Sequence, residues 1–393
     1  MTLVLVWLLM LGITLLTGAA ASGVHPFTPL EQQVLLWPPS QPVGLWLERA
    51  LFAPLFRWDA LHYLSIAANG YQAGESSISF YPLFPYLARL FVLVGIRPMV
   101  SLVLVASFAT LGFAFAFERL ARLDLPKDTA RWATILLLVF PISIVLFIPY
   151  IEPLSLLLMT LCLLFARKRR WWLAGLFGAL AALTKQAAVF LLIPLVIELW
   201  AEPSNRRFSW KMVKNWGALL PIPFVMGAWT LFRGIVLENN KLDFSNLQQS
   251  FLSILLSSGS EGMVRGRAFA WPWQVIGEAL TAARNPETSF HAAINLGGFL
   301  FLALLLVLTW RSLRPSYRYF SLFILASSLF YFSFYECPTP ITSLFRHAFH
   351  AFPIFLGLPN LLKSKWTRLA FSAVCILLFI VLIYGYTVER WIV

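Results

Sequence analysis

The sequence predicts an all-α protein that crosses a lipid bilayer many times, and three observations carry the prediction. Hydrophobic residues make up 60% of the 393 and charged residues only 12%, where soluble domains run near ~25% charged. Several apolar runs approach the roughly 20 residues that a helix needs to cross a bilayer. Lys and Arg sit in short clusters between those runs. The runs are continuous and lack alternating polarity, which selects helices over a β-barrel.

Taken in order, apolar spans fall at roughly 3–23, 98–117, 132–148, 152–166, 171–183, 187–200, 215–236, 291–310, 319–335, 346–362 and 367–388, about eleven in one membrane domain over the whole chain. The pair flanking Thr184-Lys185-Gln186 is short, so these are expected as half-spans or tilted helices meeting at a polar tip. The first run ends in Gly18-Ala19-Ala20-Ala21-Ser22, which resembles a signal-peptidase site. No basic n-region precedes it, and a retained first helix is expected. Cleavage would leave the following loop outside in either case.

Orientation follows from the basic clusters. With the N-terminus inside, the inner loops hold Arg119/Arg122/Lys127/Arg131, Arg167 to Arg170, Arg206/Arg207/Lys211/Lys214, Arg311/Arg314/Arg318 and Lys363/Lys365/Arg368. These short loops collect about 18 of the 30 basic residues, as the positive-inside rule requires. The net charge of +13 is therefore read as membrane topology, and no nucleic-acid partner is expected. Two long outer segments remain, 24–97 and 238–290. Within the first, the apolar stretch after Phe80-Tyr81-Pro82 is expected as an interfacial helix, since a full span there would break the charge alternation. Within the second, Trp271-Pro272-Trp273 suits a surface at headgroup level. The three cysteines, Cys162, Cys337 and Cys375, lack metal or redox spacing and are expected as buried thiols.

Ionisable residues beside apolar surroundings on the outer face are the candidates for chemistry, because charge near lipid is costly. Arg57-Trp58-Asp59-Ala60-Leu61-His62-Tyr63 is the densest cluster. On a helix, Asp59, His62 and Tyr63 share a face. A carboxylate there suits proton abstraction from a sugar hydroxyl; an interfacial helix with Asp59 paired to Arg57 is the plainer alternative. Lys185 and Arg346 sit at outer ends of apolar spans, suited either to binding a lipid phosphate or to snorkelling. Glu152, between two closely spaced spans, is a second carboxylate. It is placed to orient an acceptor, to hold Lys185 or Arg346, or to lie in a wet turn. Arg57 and His62 are supporting candidates that position Asp59, hold phosphate or sit at the headgroup layer.

Three blocks of the chain resemble a known family. RWDALHYLSIAANGY with FYPLFPYLARL is similar to the first outer loop of PIG-V-type mannosyltransferases, members of the GT-C superfamily. Tyr150-Ile151-Glu152-Pro153 through Arg167-Lys168-Arg169-Arg170 to Thr184-Lys185-Gln186 resembles a second family block. Pro340 to His347 followed by Phe352-Pro353 resembles a third. The tip reads Thr-Lys-Gln where the family has Thr-Arg-Pro, and His347 stands in place of a Tyr. The resemblance implies a GT-C-like, multi-spanning enzyme of prokaryotic type in the plasma membrane. It would take a sugar, usually mannose, from a polyprenyl-phosphate carrier to a hydroxyl of a glycolipid or glycan. Neither a cofactor nor an essential metal is implied, and Asp59 falls on the family's acidic position near the acceptor.

No GxxxxGK[ST], HExxH or GxSxG motif occurs. No loop is long enough for a nucleotide-binding domain, which favours a lipid-linked donor. A transporter or flippase of lipid-linked sugars is the rival class, but no two halves of the chain match. A non-catalytic subunit of a glycosylation complex is the other, and it would tolerate loss of Asp59.

Overall fold

The computed structural model describes residues 1–22, 46–72, 76–205, 209–237, 265–266, 269–286, 288–333, 335–336 and 341–388. Cys337, Pro340, Arg206-Arg207 and all of 23–45 and 238–264 lie outside them. Among the described residues the chain is helical apart from one antiparallel ladder, Arg265–Gly266 with Tyr335–Glu336. Among the described residues, five helices are long and apolar enough to cross a membrane: Thr2–Ala21, Pro98–Ala121, Trp210–Ile235, Ser289–Ser312 and Lys365–Thr387. The protein is a predominantly helical integral membrane protein.

The remaining expected spans are helical but shorter or broken. Two of them are broken near prolines, which cannot donate to the ladder and clash with the preceding turn. The stretch expected at 132–148 is a helix Lys127–Leu138, then a 3-10 turn Pro141–Leu146. That expected at 346–362 divides into Leu344–Ala348, a 3-10 segment Phe349–Leu356 containing Pro353, and Leu358–Leu361. Both therefore differ from the continuous helices expected. The tip at Thr184-Lys185-Gln186 joins Trp171–Ala182 to the 3-10 turn Gln186–Leu191 and the helix Leu192–Ala201, with Lys185 extended.

Small residues decide the closest approaches. A Cβ on Gly175 would lie 1.8 Å from the Ala218 carbonyl oxygen, and one on Gly178 would lie 2.5 Å from the Ile222 side chain. The helix Trp171–Ala182 thus packs backbone-first on the helix Pro221–Phe232 and the turn before it, as small residues permit between membrane helices. The helix Glu152–Arg167 packs on Pro98–Ala121 and on Trp171–Ala182. Cys162 and Cys375 are buried free thiols.

Two layers of charge mark the ends of this bundle. At one end the basic loops meet: Arg167 pairs with Asp124 at 2.7 Å and bonds the Tyr317 hydroxyl at 2.7 Å. Arg314 reaches both Glu198 and Asp124, and Arg169 and Lys211 both reach Glu202. Loops far apart in sequence, around residues 124, 167 and 314, therefore share one end. Glu152 stands at the start of the helix that ends in Arg167, so the two ends lie roughly 22 Å apart along it at about 1.5 Å per residue.

On the Glu152 side, the helix Leu83–Leu93 packs against Asp59–Asn69 and Pro98–Ala121. It is too short to cross and leaves Leu90 and Leu93, and Val94 just after it, exposed. Trp271 and Trp273 are exposed and stacked, ring centroids 4.8 Å apart.

Candidate active site

The helix Asp59–Asn69 begins at the acidic residue itself. The preceding Trp58 has φ 53° and ψ −119°, a conformation that a bulky L residue adopts only when its surroundings impose it. Those surroundings are visible. Arg57 is buried and donates to the carbonyls of Phe56 and Thr387. The Tyr386 hydroxyl donates to the carbonyls of Leu55 at 2.9 Å and Arg57 at 3.1 Å. The C-terminal helix thereby clamps the turn that presents Asp59. Arg57 and Asp59 are not an ion pair here; the alternative read from the sequence gives way to a longer-range partner.

That partner is Arg346. Its Nη1 donates to Asp59 Oδ2 at 2.6 Å, and its Nε lies 3.5 Å from Glu152 Oε1. Lys185 Nζ donates to the same Glu152 oxygen at 2.7 Å. The four residues singled out from the sequence thus form one alternating chain, Lys185–Glu152–Arg346–Asp59. The Arg346 guanidinium also lies over the Tyr150 ring, 5.2 Å from its centroid, a favourable cation–π distance. Two cations and two anions make the group neutral as it stands. Glu152 is only 1% exposed, whereas the Lys185 and Asp59 side chains retain 13% and 20%. The carboxylate in the middle is buried, and the outer members of the chain are partly exposed.

His62 stacks on Phe80 with ring centroids 4.6 Å apart, and Tyr63 meets Phe80 and Phe84 edge-on. These two therefore seat the Asp59 helix on the segment 80–84 rather than completing the ion chain. Beside them Tyr71 and Tyr81 pack on Trp229. Burial pushes the Tyr81 phenol up to about 12 and Tyr71 higher still, so neither is a base at neutral pH.

The sequence reading missed three contributors. Asn295 and Tyr386 lie inside apolar runs and signal only as single polar residues there. His350 is fully buried beside Glu152, and its ring nitrogens make no hydrogen bond of ordinary geometry. Among the described residues, no group of three or more His, Cys, Asp or Glu is placed to hold a metal ion.

An apolar groove of about 350 Å³ runs between Trp171–Ala182 and Pro221–Phe232, lined by Trp172, Leu176, Leu180, Leu183 and Val225 among others. Leu183, two residues before Lys185, is among its lining residues, and the Leu183 carbonyl accepts the Leu83 N–H at 3.1 Å.

Residues 2–196 match the model of the mannosyltransferase (PIG-V) family, a stretch that contains Asp59, Glu152 and Lys185 but not Arg346. No curated protein matches the chain. Among solved structures, ArnT from Cupriavidus metallidurans bound to undecaprenyl phosphate aligns with a TM-score of 0.50 at 12% identity, covering 98% of this chain and 76% of that one. The apo form of that ArnT aligns at 0.46 and 13%, covering 84% and 71%. The likeness to ArnT is one of fold, a helical GT-C architecture. Over residues 2–196, just under half of the chain, the protein is similar to the PIG-V mannosyltransferase family, and it is a membrane glycosyltransferase.

Proposed function

We propose that this glycosyltransferase transfers a hexose, mannose, from a polyprenyl-phosphate donor to a hydroxyl of a glycolipid or glycan at the extracytoplasmic face. The observation that carries the reading is the ion chain Lys185–Glu152–Arg346–Asp59. It sets two cations and a partly exposed carboxylate side by side where an anionic leaving group and a nucleophile have to meet. The side of the membrane is argued from the opposite end of the bundle. There Arg167, Arg169, Lys211 and Arg314 gather, and basic loops mark the cytoplasm. The lipid class agrees with the apolar groove whose lining includes Leu183, two residues before Lys185, and with the undecaprenyl phosphate recorded on ArnT.

In this reading the resting site neutralises itself, and the donor rearranges it. The phosphate takes hydrogen bonds from Lys185 and Arg346, so Arg346 gives up part of its hold on Asp59. Arg is suited to grip two phosphate oxygens and Lys acts as a point charge. The acceptor oxygen attacks the anomeric carbon while its proton passes to the Asp59 carboxylate. The bond from that carbon to the phosphate oxygen breaks, and its electron pair leaves on the phosphate, where the two cations stabilise it. Glu152 keeps the cations together throughout and takes no proton. Asp59 becomes fully available as a base only after the donor has engaged Arg346, so donor binds before acceptor.

Transfer from radiolabelled polyprenyl-phosphate mannose to extracted membrane acceptors tests the proposal. Asp59→Asn keeps size and hydrogen bonding but cannot take the proton. Turnover should fall by roughly 10²–10⁴, the usual contribution of a general base, with donor binding intact. If Asp59→Asn works at near wild-type rate while Glu152→Gln is dead, Glu152 is the base. Full transfer by both variants would defeat the mechanism.

A further inference from the structure

Arg346 sits on a helix of five residues, Leu344–Ala348, too short to hold itself in place. Its N-cap Ser343 is left-handed, φ 66°, and its side chain makes no capping bond; Ile341 before it also has φ 55°. A first-turn N–H of this helix needs an acceptor from elsewhere. Asn295, on the helix Ser289–Thr309 and 1% exposed, supplies it: its Oδ1 accepts the Phe345 N–H at 3.2 Å. The Asn295 Nδ2 is committed in turn to the His291 carbonyl at 3.1 Å, which fixes which way the amide points. One turn further on, a Cβ on Gly298 would lie 2.4 Å from the Phe345 ring. The absence of that atom lets the ring settle against the helix.

From these contacts we infer that Asn295 is a positioning residue for Arg346, capping the Arg346 helix from outside it, with Gly298 providing the seat for Phe345. The inference rests on the proposed role of Arg346 at the donor phosphate. Deleting the cap lets Leu344–Ala348 turn or fray, and the guanidinium then drifts from the point where Asp59 and Glu152 hold it. Phe345 also meets Phe140 edge-on at 5.9 Å, so the displaced ring has little room to follow.

The test compares Asn295→Leu, Asn295→Asp and Gly298→Ala in full-length protein, with rates normalised to the folded fraction from thermal unfolding in detergent. Donor KM and acceptor KM are measured separately with polyprenyl-phosphate mannose. Loss of one hydrogen bond of this kind predicts a rise in donor KM of roughly three- to tenfold for Asn295→Leu, with acceptor KM unchanged. Asn295→Asp retains the accepting oxygen and returns donor KM to within about twofold of wild type. Gly298→Ala moves donor KM in the same direction as Asn295→Leu. Unchanged donor KM per folded molecule in Asn295→Leu and Gly298→Ala overturns the inference, as does an equal rise in both KM values or failure of Asn295→Asp to rescue. Arg346→Ala serves as the separate control. If it leaves donor KM unaltered, the donor-phosphate reading itself has failed; if it raises donor KM while Asn295→Leu does not, only the positioning role has.

Discussion

Glu152→Gln is the perturbation whose size the structure predicts most directly. The carboxylate is 1% exposed, and one of its oxygens serves Lys185 at 2.7 Å and Arg346 at 3.5 Å. Neutralising it leaves two adjacent cations with Asp59 as their one remaining counter-charge in the chain. Removing one partner of a buried pair costs roughly 3–5 kcal/mol, because the other charge stays behind unpaired. The loss should exceed that of an interhelical hydrogen bond in a membrane bundle, which averages about 0.6 kcal/mol and reaches about 1.7. Lys185→Met should be destabilising too, and the double variant should be much less so than the sum, since the cation that Glu152 neutralised is gone as well. The coupling energy from the cycle is expected at about 1–3 kcal/mol. Reversible unfolding in mixed micelles, followed by fluorescence for wild type, both single variants and the double, gives all four corners. Additive losses, with coupling near zero, would refute the ion chain and with it the claim that Glu152 organises both cations.

Three further outcomes are expected. Leu176→Trp and Leu180→Trp fill the groove and should raise KM for a long-chain polyprenyl donor while sparing a donor with a two-isoprenoid tail, measured in detergent; equal effects on both donors would remove the groove from donor binding. Gly175→Ala drives a methyl into the Ala218 carbonyl 1.8 Å away, so the two helices must part, at a cost of roughly 1–3 kcal/mol read as a lowered unfolding midpoint; unchanged stability would show that the contact is not close. Single cysteines in a background lacking the native ones should react with an impermeant thiol reagent in intact cells at position 72 but not at 123 or 313; labelling at 123 would reverse the orientation proposed for the site.

Apolar runs, basic clusters and the RWD segment are local features, and each is legible where it stands in the chain. Continuous apolar stretches imply helices in lipid because a backbone there must satisfy its own hydrogen bonds. That argument needs no knowledge of neighbours, and every expected span is helical in part or whole. Pro141 and Pro353 are local signals as well; the two apolar runs that contain them form short pieces that carry Tyr150, Glu152 and Arg346 to one place.

Candidate residues could be named from the sequence, but their pairing could not. Asp59 next to Arg57 reads as a local ion pair, yet Arg57 donates to the carbonyls of Phe56 and Thr387, and Asp59 takes an arginine 287 residues away. Charge on a linear chain says which groups need partners; only packing says which partners are within reach. Asn295 shows the same limit. Within a run of leucines and phenylalanines it is a single polar residue, and its meaning comes from a foreign backbone N–H that the fold brings to its side chain. The sequence by itself determined membrane insertion, helical content and the set of groups available for chemistry, since those follow from composition and local periodicity. The tertiary structure alone decided the order Lys185–Glu152–Arg346–Asp59, because hydrogen bonds act over about 3 Å and only the folded bundle brings such distant residues that close.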